Sequence, residues 1–357
     1  MIKENSFSKE WINSRCVFLQ RGKNKANPEL VEKVIYALYL LESIKKTGLP
    51  FIFKGGTALL LLIKEIHRFS IDIDILIEKD ISINSIIKVL NNLIKNNNVF
   101  YKFEESERVN TKNINKTHFK FYFKSLLDGR DKYILLDVLF ETNSFAELVQ
   151  KDISCNLLDI EDEIQKVSMP SVECMLGDKL TAFAPNTTGI PYGVNKELEI
   201  IKQMFDISIL FNEAKNLRAV SDTFSNVAKN EIRYRNLKVD LCEIYKDIID
   251  TSITVASRGK YKIDEFSSLL EGIKRVRSFI ISTNFILEEA VLSAAKVAYL
   301  AALLKNNIYD IAFFNNKEDI LNLEITDGKF SNNFKTIKKF SPEAYYYLYK
   351  FVEINKI

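Results

Sequence analysis

The run Phe51-Ile52-Phe53-Lys54-Gly55-Gly56-Thr57-Ala58-Leu59, followed by Arg68-Phe69-Ser70-Ile71-Asp72-Ile73-Asp74-Ile75, constrains the fold more than any other stretch of the chain. Phe51 to Phe53 reads as a short buried strand, and the glycine pair ends it where a mostly apolar helix begins, predicted from Thr57 to Ile66. From Ser70 to Ile77 apolar and polar residues alternate, the period of a strand with one face buried and one open. Strand, turn, helix and strand in this order build a sheet flanked by helices.

The same residues carry chemistry. Glycines let a backbone approach a ligand closely, and the unpaired amides at Gly56 and Thr57, at the positive end of a helix dipole, suit triphosphate oxygens. Asp72 and Asp74 are expected on the open face of their strand, about 6.5–7 Å apart at Cα. Carboxylates at that spacing can hold hard divalent cations, and a pair of magnesium ions about 3.5–4 Å apart is the expected guest. Aspartates on an exposed edge strand would also deter sheet-to-sheet pairing. Aspartate is poorly suited to strands, however, so two inside Ile-Asp-Ile-Asp-Ile need a compensating use.

On these residues the chain resembles the nucleotidyltransferase superfamily, whose signature is a Gly-Gly or Gly-Ser turn followed by an Asp-x-Asp strand. More narrowly it is similar to the AbiEii/AbiGii toxin family. The strings Lys54-Gly55-Gly56-Thr57-Ala58-Leu59 and Arg68-Phe69-Ser70-x-Asp72-Ile73-Asp74 carry the resemblance, with two later motifs. It implies nucleotide-binding roles for Lys54, Gly55, Gly56, Thr57 and Ser70, metal binding by Asp72 and Asp74, and a third acid on a neighbouring strand. In-line nucleotidyl transfer uses one metal to ripen the attacking hydroxyl and another to hold the triphosphate. Asp137 is the candidate third acid. It sits in the strand pattern Tyr133 to Phe140, which follows the strand pattern His118 to Phe123 across a turn at Asp128-Gly129-Arg130. Glu141 is the alternative, and Asp137 could instead pair with a basic neighbour inside the sheet.

The first later motif lies in Pro170-Ser171-Val172-Glu173-Cys174-Met175-Leu176-Gly177-Asp178-Lys179-Leu180, where Ser171 suits a helix N-cap and Val172, Met175, Leu176 and Leu180 recur on one face. Lys179 falls off that stripe, as a surface lysine would. The resemblance gives it another role, offsetting the charge that grows on a leaving pyrophosphate while contacting the nucleotide. The second motif, Lys202-Gln203-Met204-Phe205-Asp206, closes a helical stretch from Glu197 to Phe211, and Asp206 is assigned to the site on resemblance alone. Between the motifs, Ala184 to Asn195 is rich in glycine, proline, asparagine and threonine and reads as a loop. It is either a plain connection or a lid from which Tyr192 would stack on a nucleotide.

At 357 residues with 47% hydrophobic and 27% charged side chains, the chain is long enough for two domains. The expected division is 1–168, a nucleotidyltransferase-type mixed sheet flanked by helices, and 169–357, a helical domain contributing Lys179 and Asp206 to a cleft at the junction. The expected class is therefore α+β. Further helices are predicted from Asn27-Pro28 to Ile44, Ile83 to Lys95, Asp264 to Ile281 and Leu287 to Leu304. No long apolar run or apolar leader stands out, so membrane spanning is not expected and the cytoplasm is the expected location. Cys16, Cys155, Cys174 and Cys242 are scattered and expected as buried thiols, with no zinc spacing. Only His67 and His118 are present and neither stands near a nucleophile motif, which disfavours triad hydrolase chemistry.

A net charge of +3 implies no broad nucleic-acid-coating surface. Local basic clusters exist at Lys229, Arg233, Arg235 and Lys238, at Lys274, Arg275 and Arg277, and at Lys335, Lys338 and Lys339. Tyr345, Tyr346, Tyr347 and Tyr349 lie close by in sequence and offer stacking to an RNA end, although solvated helix faces would look the same. The resemblance implies a magnesium- or manganese-dependent transfer of NMP from an NTP to RNA such as a tRNA 3′ end. The enzyme would be the toxin of a type IV toxin–antitoxin or abortive-infection system with a cognate antitoxin. Transfer to a small molecule or protein, and a nucleotide-binding regulator without catalysis, are the alternatives.

Overall fold

Every second side chain of Lys116–Lys124 is turned inward, with Thr117, Phe119, Phe121 and Phe123 buried and Lys116, His118, Lys120, Tyr122 and Lys124 on the other face. That alternation organises the first of two units. In a computed structural model, residues 1–20, 26–106, 116–161, 163–326 and 328–355 are described. Unit 1 comprises Met1–Ser171 with Ser278–Thr283, and unit 2 comprises Val172–Arg277 with Asn284–Ile357.

Unit 1 contains helices α1 (Lys9–Phe18) and α2 (Pro28–Lys46), strand β1 (Ile52–Lys54), helix α3 (Gly55–Leu62), strand β2 (Ile73–Ile77) and helix α4 (Ile83–Lys95). Strands β3 (Lys102–Glu105), β4 (Lys116–Lys124), β5 (Asp131–Phe140), β6 (Leu148–Asp152) and β7 (Lys166–Pro170) complete it. The main sheet has the order β1-β2-β5-β4-β3, with β2 and β5 parallel and the other pairs antiparallel. β6 and β7 form a separate hairpin. The inward face of β4 packs on α2, where Tyr36 stacks on Phe123 at 3.9 Å, and Phe100 meets Phe121 at 5.8 Å. Buried aromatic rings of this size dominate core energetics, at roughly 1.5–3 kcal/mol for each fully buried side chain.

Unit 2 is helical: α5 (Val172–Ala182), α6 (Glu197–Glu213), α7 (Leu217–Arg235), α8 (Leu241–Ala256), α9 (Ile263–Val276), α10 (Leu287–Lys305), α11 (Gly328–Phe334), α12 (Ile337–Phe340) and α13 (Pro342–Asn355). α10 is the central element. It is buried nearly all round, and its alanines Ala294, Ala295, Ala298, Ala301 and Ala302 leave room for the flanking helices. Phe211, Tyr299 and Tyr347 form an aromatic cluster against it, with Tyr299 and Tyr347 stacked at 5.6 Å.

The expected α+β class holds, with strands confined to unit 1. Several boundaries differ. The helix after the glycine turn starts at Gly55 and ends at Leu62, because Ile63 is extended and the chain leaves toward a β-bridge between Arg68 and Ile280. That bridge, with Phe69 N–H donating to the Phe279 carbonyl at 2.8 Å and Ile281 N–H to that of His67 at 2.9 Å, brings Ser278–Thr283 into unit 1 as a strap. α9 accordingly stops at Val276, short of the predicted Ile281.

The strand predicted from Ser70 begins only at Ile73, so Asp72 stands just before it. Among the described cysteines no disulfide forms, and only Cys174 is buried while Cys242 is exposed, since Cys242 lies in the exposed first turn of α8. Tyr345, Tyr346 and Tyr347 are core residues of α13 and offer no stacking surface. No helix among the described residues is long and apolar enough to cross a membrane.

Candidate functional site

Four side chains stand in one row across the sheet of unit 1. Lys54 on β1 is the register partner of Asp74 on β2, Asp74 of Asp137 on β5, and Asp137 of His118 on β4. Residues directly opposite across a ladder project from the same face, with Cα atoms about 4.5–5.5 Å apart. Two carboxylates at such neighbouring positions repel each other. The row sets a lysine at one end, and His118 Nδ1 lies 2.7 Å from Asp137 Oδ1 at the other.

Glycine chemistry shapes what lies beside Asp74. Gly55 has φ +81°, in the left-handed region that side chains disfavour, and a Cβ there would stand 2.7 Å from Asp74 Cγ. A Cβ on Gly56 would meet the Arg68 guanidinium and the Ser70 hydroxyl, each at 2.7 Å. At Gly55 glycine is needed for the turn to seat against the carboxylate, and at Gly56 the missing side chain leaves room for Arg68 and Ser70. Lys54 is the N-cap of α3, and its Nζ lies 5.3 Å over the Phe145 ring. Thr57 is buried and donates its hydroxyl to the Asp72 carbonyl at 2.6 Å, which pins the chain where it enters β2. Its side chain therefore locks the turn, and the backbone amide is the part of Thr57 suited to an anion. Arg68 is itself buried, and Nη1 donates to the Phe69 carbonyl at 2.9 Å.

Of the two candidates for a third acid, Asp137 is the one in register with Asp74. Glu141 lies beyond the end of β5, where its N–H donates to the Ile77 carbonyl. The basic neighbour weighed for Asp137 also exists, as His118. Sequence reasoning missed His118 as a site residue because it was judged by nucleophile motifs. The available signal was the outward alternation Lys116, His118, Lys120, Tyr122, Lys124, which puts the imidazole on the face that carries Asp137. Among the described residues no three or more His, Cys, Asp or Glu side chains gather into a metal-holding group. In donor chemistry Asp72, Asp74 and Asp137, offering carboxylate oxygens only, suit a hard divalent cation.

The remaining predicted residues lie in unit 2. Lys179 on α5 is 3% exposed and Asp206 on α6 1% exposed, and their side chains pair at 2.6 Å. Gln203, one turn before Asp206, accepts a second bond from Lys179 Nζ at 3.2 Å. Lys179 is thus not a surface lysine. α5 is buried on nearly every side, and Gly177 lets it approach α7, where a Cβ would stand 2.7 Å from the Val220 carbonyl oxygen. The sequence separation of the two motifs hid a direct contact.

The loop Ala184 to Asn195 is tied to its own unit. Asp247 of α8 accepts from the Asn186 backbone and side chain and from the Thr187 hydroxyl, at 2.7–2.8 Å. Burial pushes the Asp247 carboxyl above the ordinary carboxylate range, against the opposing effect of these bonds. Arg235 donates to the Gly189 carbonyl, and the half-buried Tyr192 donates to Thr251. Such anchoring suits a fixed connection rather than a lid. The C-terminal basic clusters are similarly engaged: Arg235 with Glu231, Lys274 with Glu271, and Lys338 with the Leu321 and Leu323 carbonyls.

The family model of the nucleotidyl transferase AbiEii toxin, a type IV toxin–antitoxin system, matches residues 38–272. No curated protein matches the chain. Among solved structures it is similar to JHP933 from Helicobacter pylori, at 13% identity and a TM-score of 0.43 over 78% of this chain and 94% of that one. It is also similar to an antigenic nucleotidyltransferase-like protein from Paracoccidioides brasiliensis, at 17% identity and a TM-score of 0.37 over 57% of this chain and 89% of that one.

Proposed function

Because the chain belongs to the AbiEii nucleotidyl transferase toxin family of type IV toxin–antitoxin systems, we propose that it moves NMP from an NTP to RNA, with a tRNA 3′ end as the acceptor class. In this reading it acts as the toxin of a pair, checked by a cognate antitoxin. The observation that carries the chemical reading is the register pairing of Asp74 with Asp137 directly beside the Gly55–Gly56 turn. Two adjacent carboxylates call for a positive guest, and a glycine turn at a helix N-terminus calls for an anionic one. A metal-bound triphosphate supplies both.

Magnesium or manganese would be held by Asp72, Asp74 and Asp137, and when bound it neutralises charge on the triphosphate. The Gly56 and Thr57 amides bind phosphate oxygens, and Ser70 and Lys54 flank them. Asp137, oriented by His118, accepts the proton of the acceptor hydroxyl. Within its own unit the Lys179 ammonium is held by Asp206 and Gln203, and its family motif would give it the charge on a departing pyrophosphate.

The test is to incubate the protein with magnesium, total tRNA and each α-labelled NTP in turn, with Asp74→Ala as the control. Label on RNA from the wild type alone supports the reading and names the nucleotide. Label on protein or a small molecule but never on RNA would move the acceptor to another class, and activity retained in Asp74→Ala would remove the metal assignment.

A further inference from the structure

The face of the sheet that carries Asp74 and Asp137 continues outward along β4 and β5. From the His118–Asp137 pair, successive register pairs on this face are Lys120–Leu135, Tyr122–Tyr133 and Lys124–Asp131. At about 6.5–7 Å per two residues, the tyrosine pair lies about 13–14 Å from the acid row. The Tyr122 and Tyr133 ring centroids are 5.8 Å apart, and Tyr101 brings a third ring 6.5 Å from Tyr122. Tyr101 and Tyr133 are each 45% exposed.

Lysines are interleaved with these rings. Lys102 Nζ lies 4.4 Å over Tyr122 and Lys120 Nζ 5.1 Å over Tyr133, while Lys116 and Lys124 continue the outward row of β4. Two acids share the strip, and both are engaged. Glu104 accepts from the Tyr122 hydroxyl at 2.6 Å and pairs with Lys102 at 2.9 Å. Asp131 accepts from Tyr101 at 2.6 Å and pairs with Lys124 at 2.7 Å. Their bonds hold the phenol rings in place by the hydroxyl edge.

Rings side by side on neighbouring strands, Tyr101 and Tyr133 exposed and Tyr122 between them half-buried, with lysines beside them and an acid row further along β5, define a surface for an unpaired nucleic-acid strand. Bases stack on rings whatever their sequence, and lysines follow the phosphates. A duplex hides its base faces and gains nothing from the rings. We propose that single-stranded RNA crosses the sheet over β3, β4 and β5, its bases on Tyr101, Tyr122 and Tyr133 and its phosphates on Lys102, Lys124 and Lys120, and then turns along β5 so that its 3′ end reaches Asp137. This rests on the RNA-acceptor reading above and supplies the surface that the buried tyrosines of α13 do not.

The experiment is fluorescence anisotropy of a short fluorescein-labelled single-stranded RNA titrated with the full chain, run beside the label-transfer assay. Tyr122→Ala/Tyr133→Ala is expected to bind about tenfold more weakly or worse. Tyr122→Phe/Tyr133→Phe keeps the rings, drops the Tyr122–Glu104 bond and is expected to bind as the wild type does, which separates stacking from a folding defect. Lys120→Gln should lower the slope of log affinity against log salt by about one. Alanine variants that bind as tightly as the wild type overturn the proposal; if the wild type still labels RNA, the acceptor reading stands and the strip becomes a protein-docking face. A wild type that neither binds nor labels RNA overturns both.

Discussion

Gly55 joins two demands in one residue, a left-handed backbone and no side chain between the turn and Asp74. Gly55→Ala is therefore expected to lower stability by about 1–3 kcal/mol and to depress transfer more than that loss of folded protein explains. Denaturation midpoints and label transfer on the same preparation check this; a stable, fully active variant would show that the turn need not touch the carboxylate. The Lys179–Asp206 pair separates structure from chemistry in another way. Lys179→Met leaves a buried carboxylate uncompensated, so a loss of roughly 3–5 kcal/mol is expected. Lys179→Met/Asp206→Leu removes both charges and should regain most of that stability. If Lys179 serves the reaction, the double variant folds and stays inactive; recovery of transfer together with stability would make the pair purely structural. Both halves of this pair rest on family motifs in the sequence, and their contact was not legible, because no spacing rule reports that two helices will cross at positions 179 and 206.

At the scale of elements, the loop from Ala184 to Asn195 hangs on Asp247. Its carboxyl is raised by burial above its unfolded value, so the fold binds a proton there more tightly than the unfolded chain does. Stability from this group is complete below the ordinary carboxylate value and falls as pH rises through the raised folded value. Asp247→Asn keeps the side-chain shape and cannot ionise, so unfolding measured across the acid range should lose that pH dependence; an unchanged profile would assign it to other groups. The elements most legible in the sequence were those with strong periodicity. Ile83–Lys95 falls on its predicted span, and the alternation around His118 and Leu136 foretold β4 and β5. The predicted β2 is longer than the observed one because the alternation through Ser70, Asp72 and Asp74 outlasts the ladder. The Thr57 hydroxyl and the strap claim the backbone before Ile73, and tertiary partners of that kind leave no periodic trace. The glycine turn and its acids were readable as a local motif, whereas His118 and Arg68 joined it through register and burial.

For the whole molecule, the strap makes unit 1 discontinuous in sequence, since Ser278–Thr283 belongs with Met1–Ser171. A fragment cut after Ser171 should fold poorly around His67–Phe69. Hydrogen exchange read at the Phe69 amide, which donates to Phe279, should show protection in the full chain and none in the fragment, and label transfer should vanish with it. A fragment that labels RNA as the full chain does would make the strap dispensable. Protein synthesis gives this topology a temporal meaning. The ribosome delivers the glycine turn, Asp72, Asp74 and Asp137 early, yet the strap bonds to His67 and Phe69 form only once Phe279 and Ile281 have emerged. A half-made chain therefore lacks the strap beside the approach to Ser70 and Asp72 while it is still threaded through the ribosome.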